Sequence, residues 1–206
     1  VILKKASYKA LQYACMKFHY AKRLPVARIS YSVFNNNNEW CGVISYGSGA
    51  GNTVAKNFGL PQGQCCELVR VALNGKQEQT SKALAISLRL LKKQCPLLKL
   101  VYSYADVDEN HYGIIYQATN WIYLGQSEPY SNGVFINGKK MHTRSLTNKM
   151  PKGVTANINN IKKYLDINAY ETFSLGKRKY VKIFDKNLLK KYNKMKKNYP
   201  KNAIEV

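Results

Sequence analysis

Several things are scarce in this chain, and each scarcity removes a class of protein. No apolar run is long enough to span a membrane, so no membrane partner is expected. Residues 1–18 carry charges within the apolar stretch and lack a small-residue cleavage site, unlike a signal peptide. The five cysteines (Cys15, Cys41, Cys65, Cys66 and Cys95) are odd in number, scattered, and form no CxxC pair. That argues against a disulfide framework and fits a reducing, cytoplasmic setting. The adjacent Cys65 and Cys66 read as small hydrophobes flanking a strand. Histidine occurs three times, at His19, His111 and His142, with no HxH or HxxxE spacing. Any metal site would therefore have to recruit Asp106 or a tyrosine. There is no internal repeat.

Acidic residues are also few: 11 Asp and Glu against 33 Lys and Arg, a formal charge of +22. From Gly138 onward there are 18 basic and 4 acidic residues, and before it 15 and 7. A chain with this balance is drawn to polyanions, and nucleic-acid contact is expected. A lysine-rich and asparagine-rich composition on a solvated face is the plainer alternative. Sixteen tyrosines accompany the basic residues, and aromatic rings can stack on a displaced base. A hydrophobic content of 45% suffices for a true core.

The element signals are clear in the middle of the chain. Residues 6–18 have helical spacing of Leu11, Ala14, Cys15 and Phe18, and Pro25 closes that region. Ile29–Phe34 and Glu39–Tyr46 alternate as strands around an Asn35–Asn38 turn. Gly47–Gly51 reads as a flexible loop and residues 52–64 as a variable one. Glu67–Leu73 is a strand that feeds, through Gly75, a helix after Thr80 with Leu84, Leu88 and Leu91 on one side. Such a helix start presents backbone N–H groups suited to phosphate, so Ser81 and Lys82 are candidate cofactor-binding residues. Thr80 or Ser81 acting only as an N-cap is the alternative. Leu98–Tyr104 is a second strand, leading to Asp106 at a strand's carboxyl edge. Gly113–Trp121 is a short helix carrying Tyr116, and Ile122–Leu124 starts another strand.

Beyond Gly125 the pattern weakens. Val134–Ile136 and Asn137-Gly138 read as a strand and tight turn, 154–165 as a short basic helix, and Gly176–Phe184 as a basic strand. The tail from Lys186 to Lys201 is either an amphipathic helix or disordered. The fold class is α/β (α+β), with a core over 1–137 and a basic extension over 138–206 that packs on the core and contacts DNA.

Arg70 lies inside an apolar strand and needs a partner: a phosphate, a cofactor, or structural pairing with Glu67 or Asp106. A carboxylate such as Asp106 would help a poor amine nucleophile by taking its proton; capping the next loop is its plainer role. Tyr116 is either a core tyrosine or a proton donor.

Two blocks resemble the phage Mom DNA-modification family. They are Leu68-Val69-Arg70-Val71-Ala72-Leu73 with Thr80-Ser81-Lys82-Ala83-Leu84, and Ser103-Tyr104-Ala105-Asp106 with His111 to Trp121. His19-Tyr20 before Leu24-Pro25, His142-Thr143-Arg144-Ser145 and Gly176-Lys177-Arg178-Lys179-Tyr180 are similar too, so the resemblance spans roughly 10–184. It implies a GCN5-related acyltransferase-like mixed, mainly antiparallel sheet flanked by helices. It also implies conversion of adenine in DNA to its N6-carbamoylmethyl derivative, which shields phage DNA from restriction in the bacterial cytoplasm.

On that resemblance Asp106, Tyr116, His19 and Tyr20 are catalytic candidates. Arg70, Ser81, Lys82 and Ser103 are cofactor-binding candidates, and Arg144, Lys177, Arg178 and Lys179 are DNA contacts. The small-molecule donor is open, an acetyl-CoA-like molecule among the options, and a metal ion such as iron would sit at His19 and Asp106. The loop from Gly75 to Ser81 is poorer in glycine than the usual acyltransferase phosphate loop. An ordinary N-acetyltransferase and a non-catalytic DNA-binding protein on the same fold are the competing readings.

The charge makes a first prediction. Affinity for duplex DNA falls by orders of magnitude between about 50 and 200 mM salt if lysines and arginines meet phosphates. An affinity that stays flat across that range contradicts electrostatic docking.

Overall fold

Local sequence chemistry starts and stops most elements of this chain, seen here in a computed structural model that describes residues 1–49 and 54–201. Strand β1 (Ile2–Lys5) is followed by helix α1 (Tyr8–Phe18). Ser7 caps α1 by accepting the Ala10 N–H. Strands β2 (Ile29–Phe34) and β3 (Trp40–Gly47) form the expected hairpin. A short helix α2 (Val54–Asn57) lies in the region read as a variable loop. Residues 50–53, part of the loops expected there, lie outside the described residues. Then come β4 (Cys65–Leu73), α3 (Thr80–Gln94), β5 (Leu100–Asp106), α4 (Ile114–Gln117) and β6 (Ile122–Gln126).

The rest of the chain adds β7 (Tyr130–Ile136), β8 (Lys139–Met141), α5 (Thr143–Leu146) with a 3-10 turn at Thr147–Lys149, and α6 (Ile158–Tyr164). It ends with β9 (Tyr170–Ser174), β10 (Lys177–Ile183) and α7 (Lys186–Asn193). Strands β1 and β9 had no clear signal: β1 is four residues long, and β9 has a polar, exposed pattern. The tail is a helix over its first half. The Asp185 carboxylate caps it by accepting the N–H groups of Asn187 and Leu188.

The chain divides into two compact units. The first comprises 1–105, 112–125 and the chain from Arg178 onward. It holds a seven-stranded sheet in the order β1-β2-β3-β4-β5-β10-β6. The pairs β1–β2, β2–β3 and β3–β4 are antiparallel, and β4–β5 is parallel. The expected mixed, mainly antiparallel sheet flanked by helices is what the chain forms.

One core packs α3 and α4 against the sheet through Leu84, Leu88, Leu91, Leu68, Val101, Tyr116, Trp121 and Tyr180. A second packs Phe58, Cys65, Leu100, Tyr102, Val181 and Tyr192 on the other face. Alternation along β5 explains the split: Val101 and Ala105 face one core, Leu100 and Tyr102 the other.

The second unit comprises 106–111 and 126–177. It is built on a three-stranded sheet in the order β8-β7-β9. Val134, Ile136, Leu146, Met150 and Ile161 form its own core. Of residues 138–206, 138–177 belong to the second unit, and β10 from Arg178 on and α7 belong to the first. No helix among the described residues is long and apolar enough to cross a membrane.

Both faces of the large sheet bury hydroxyls and thiols. Burial pushes Cys65 and Tyr180 up to about 12, and raises Cys15, Cys66, Tyr46, Tyr102 and Tyr116. The folded chain therefore keeps protons that the unfolded chain releases near 8.5 for cysteine and near 10 for tyrosine, roughly. Stability is expected to be full below that range and to decline steadily as pH rises through it. A thermal midpoint unchanged between pH 8 and 11, roughly, contradicts the linkage.

Candidate active site

The central geometric event is where β4 and β5 stop pairing. The parallel ladder joins Cys65 with Leu100, Cys66 with Val101 and Glu67 with Tyr102, and then ends. Both strands continue, β4 to Leu73 and β5 to Asp106, without further pairs between them. Their separation leaves backbone groups that need other partners.

Ser103 supplies one. Its buried hydroxyl donates to the Leu68 carbonyl across the opening at 2.9 Å. The Tyr116 hydroxyl lies 2.9 Å from the same Ser103 oxygen. Because the serine proton is committed to Leu68, Tyr116 is the donor in that contact. A relay results: Tyr116 O–H to Ser103, Ser103 O–H to Leu68. Burial raises the Tyr116 pKa, and the Glu67 charge adds to the rise. Tyr116 is accordingly a neutral acid around pH 7, able to give a proton.

Tyr116 is held closely. Its ring lies 4.9 Å from that of Tyr180 and 5.0 Å from that of Trp121. Gly113, the left-handed N-cap of α4, has φ +73°. A β-carbon there would come within 2.5 Å of the Tyr180 ring and 2.9 Å of Tyr116. Only glycine meets both demands. The tail reinforces the edge: Tyr199 donates to the Trp121 carbonyl at 2.5 Å, and the Lys197 N–H to that of Tyr123 at 2.9 Å.

Arg70 follows on β4. Its guanidinium donates to the Val69 carbonyl at 2.8 Å and reaches the Arg23 carbonyl at 3.5 Å. Among the described residues no carboxylate forms an ion pair with it. The buried Cys15 thiol lies beside it, pushed up by burial while the arginine pulls it down. Arg70 thus ties β4 to the segment after α1. That segment holds His19 and Tyr20, whose rings stack at 4.3 Å. His19 Nδ1 accepts the Ala21 N–H at 3.1 Å, so one of its nitrogens serves the turn.

The start of α3 differs from expectation. Its N-cap is Gln79, not Thr80 or Ser81, and no side chain caps it. The first intrahelical bond of the turn is Ala83 N–H to Gln79 O. The N–H groups of Thr80, Ser81 and Lys82 thus lack helix partners, which suits an anionic ligand group. Within the same loop the Glu78 carboxylate accepts the Asn36 N–H at 2.6 Å. That bond, first, holds its pKa below the usual range, so a negative charge stands at the helix entrance.

Asp106 is the last residue of β5 and belongs to the second unit. Its Oδ1 accepts the Asp108 N–H at 3.2 Å, the loop-capping role. Its Oδ2 lies 4.0 Å from Lys177 Nζ, with the Asp106 side chain 18% exposed. Lys177, one of the expected DNA contacts, stands beside the candidate base. The neighbouring Asp108 carboxyl is held low by the Leu175 N–H and the Ser174 hydroxyl, with Lys140 and Lys177 adding.

The remaining basic candidates scatter. Arg178 lies over the Tyr112 ring at 4.4 Å. Lys179 packs over the Phe58 ring at 4.4 Å, half-buried, and burial lowers its pKa. Arg144 is exposed in the first turn of α5, with His142 accepting its N–H.

Sequence reasoning missed Glu67, Tyr102 and Tyr104 as site neighbours. They gather where pairing ends, on the face opposite Ser103, and the Glu67 charge raises both tyrosines after burial. Among the described residues no group of three His, Cys, Asp or Glu side chains could hold a metal. His19 and Asp106 also lie in different units. The iron expectation therefore finds no ligand set here.

The model of the Mom protein family matches residues 1–201. The chain belongs to the Mom protein family. No curated protein matches it by sequence. Among solved structures it is similar to a protein assigned as a phosphinothricin N-acetyltransferase. The TM-score is 0.51 at 9% identity, covering 90% of this chain and 99% of that one. A spermidine N-acetyltransferase variant from Vibrio cholerae gives a TM-score of 0.46 at 9% identity, covering 89% and 95%. The first likeness shows that this Mom chain has the acetyltransferase fold.

The relay predicts an order of effects. Ser103→Ala leaves both the Tyr116 hydroxyl and the Leu68 carbonyl without a partner, about 1–3 kcal/mol. Tyr116→Phe removes the donor and leaves the serine bond to Leu68, about 1 kcal/mol. Urea denaturation should rank Ser103→Ala as the more destabilised variant. The reverse order contradicts the relay.

Proposed function

We propose that this protein is a transferase that modifies N6 of adenine in DNA, adding a carbamoylmethyl group that shields phage DNA from restriction. Membership of the Mom family together with the acetyltransferase fold supports this reading. The observation that carries it is the neutral Tyr116 acid hydrogen-bonded to Ser103 at the parting of β4 and β5.

Adenine N6 is a weak nucleophile because its lone pair is delocalised into the ring. As the N6–carbon bond forms, N6 must lose a proton, and Asp106 is the residue to take it. The ion pair with Lys177 orients that carboxylate while it waits. Tyr116 releases its bond to Ser103 and gives its proton to the departing part of the donor, or orients the donor. Ser103 remains anchored on Leu68 O. His19 and Tyr20 lie in the segment that Arg70 ties to β4 through the Arg23 carbonyl. The N–H groups of Thr80, Ser81 and Lys82 would hold an anionic part of a small-molecule donor, which would carry the carbamoylmethyl group with its leaving group on the methylene carbon. Basic side chains, Arg144 and Arg178 among them, meet phosphates, and the target adenine leaves the stack to reach the carboxylate.

An ordinary N-acetyltransferase acting on an amine is the second reading, favoured by the α3 start, which no side chain caps. The Glu78 carboxylate at that entrance weighs against it.

The test is direct. Bacteria expressing the protein should yield, after digestion of their DNA, an adenosine heavier by one carbamoylmethyl unit on mass spectrometry. Asp106→Asn and Tyr116→Phe should each reduce its amount by about 100-fold, the scale of lost acid–base catalysis. Absence of the new nucleoside with the wild type rejects the reading. Full yield with Asp106→Asn rejects the assigned base.

A further inference from the structure

The three-stranded sheet has a face that the chemistry above does not use. In register, Lys140 of β8 stands opposite Phe135 of β7, and Phe135 opposite Tyr170 of β9. Directly opposed residues share a sheet face, so the three form a row across the sheet. The next row, Met141, Val134 and Glu171, fixes which face it is. Val134 is buried in the core of this unit with Ile136, Leu146 and Ile161, so the row through Phe135 faces away from that core. The Phe135 and Tyr170 rings stack with centroids 5.1 Å apart and planes 19° apart. Tyr170 is 54% exposed, Phe135 is half-buried, and Lys140 is exposed. Two residues along the strands, on the same face, Gly133 opposes Thr172. The Thr172 hydroxyl donates to Asn132 Oδ1 at 2.8 Å. The result is a ledge made of two stacked rings, with a cation at one end of the row and a low polar surface beside it.

A stacked aromatic pair left in water, with Tyr170 more than half exposed, can be extended by another flat ring. A nucleobase has the matching shape, and stacking on protein rings tolerates any base. A phosphate of the same strand needs a cation within reach, which Lys140 provides at the end of the row. The surplus of 33 basic over 11 acidic residues favours a polyanion over a neutral partner. An apolar peptide strand would want apolar side chains along the ledge, where Gly133, Thr172 and Lys140 stand instead.

We propose that the row Lys140, Phe135 and Tyr170 is a seat for an unpaired DNA base, its ring extending the aromatic stack and a phosphate of the same strand meeting Lys140. This rests on the DNA-modifying reading and names where a base displaced from the duplex is received. No turnover is needed for binding there.

The full chain is titrated with a single-stranded oligonucleotide carrying one 2-aminopurine, and with the same probe fully paired. The wild type quenches the single-stranded probe by stacking. Tyr170→Ala binds it about ten-fold more weakly and loses the quenching, the scale expected for one stacked base. Tyr170→Phe keeps both. Phe135→Leu, which preserves an apolar side chain and guards against a folding defect, also loses the quenching. Lys140→Gln lowers the slope of log affinity against log salt by about one counterion.

Unchanged quenching in Tyr170→Ala and Phe135→Leu overturns the proposal. So does an equal loss in Tyr170→Ala and Tyr170→Phe, or a loss just as large on the fully paired probe. Quenching in vitro without a modified nucleoside in cells leaves the seat standing and removes the adenine-modifying reading. A modified nucleoside without quenching does the opposite.

Discussion

Three residue pairs hold β4 and β5 together, and everything at the candidate site depends on there being no fourth. A parallel ladder continued to Asp106 would close the sheet and leave no opening. Its early end exposes the Leu68 carbonyl, which Ser103 then occupies, and Ser103 in turn fixes the direction of the Tyr116 proton. The same logic recurs deeper in the core. There Ser87 donates to Leu84 O at 2.8 Å and so turns Tyr46 into a donor at 2.6 Å. In both places a buried tyrosine is satisfied through a serine whose own proton is already committed. Such chains are rigid because each member has one proton and one place for it.

The chemistry proposed for the site divides between groups with different surroundings. Tyr116 is enclosed by Trp121, Tyr180 and Gly113, so its hydroxyl stays protonated and its position is fixed by packing. Asp106 is partly exposed, engages a loop N–H, and faces a lysine. An acid and a base with such contrasting environments can work at one pH without exchanging roles. The α3 entrance adds a third character, backbone N–H groups next to the Glu78 carboxylate. That mixture suits a donor whose anionic part is smaller or placed differently than in a standard acyl-CoA.

Legibility followed pattern strength. The β2–β3 hairpin, β4, α3, β5 and the helix with Tyr116 were readable because alternation or helical spacing runs through them with clear caps and turns. The β1 and β9 strands were not, since four or five residues with mostly exposed side chains carry no periodic signal. The identity of Tyr116, Ser103 and Asp106 came from a resemblance in ordered blocks, yet nothing local in sequence told that Ser103 bonds to Leu68. Glu67 was read only as a partner for Arg70, and its place beside Tyr102 went unnoticed because they meet only through strand register. Lys177, Arg178 and Lys179 read as one basic patch. Strand alternation sends Arg178 onto Tyr112 and Lys179 onto Phe58, while Lys177 pairs with Asp106.

Strand β10 joins the large sheet between β5 and β6, although some fifty residues of the other unit separate it from β6 in sequence. Tyr180 and Val181, both without exposed surface, come from this strand. A ribosome therefore delivers the last central piece of the sheet after nearly all the rest of the chain has emerged. Until then β5 and β6 have open edges that can pair wrongly. Closing the sheet demands a contact between distant parts of the chain, which slows folding in a way local helices cannot offset. The second unit lies between these strands in sequence, so its chain is already made when β10 emerges.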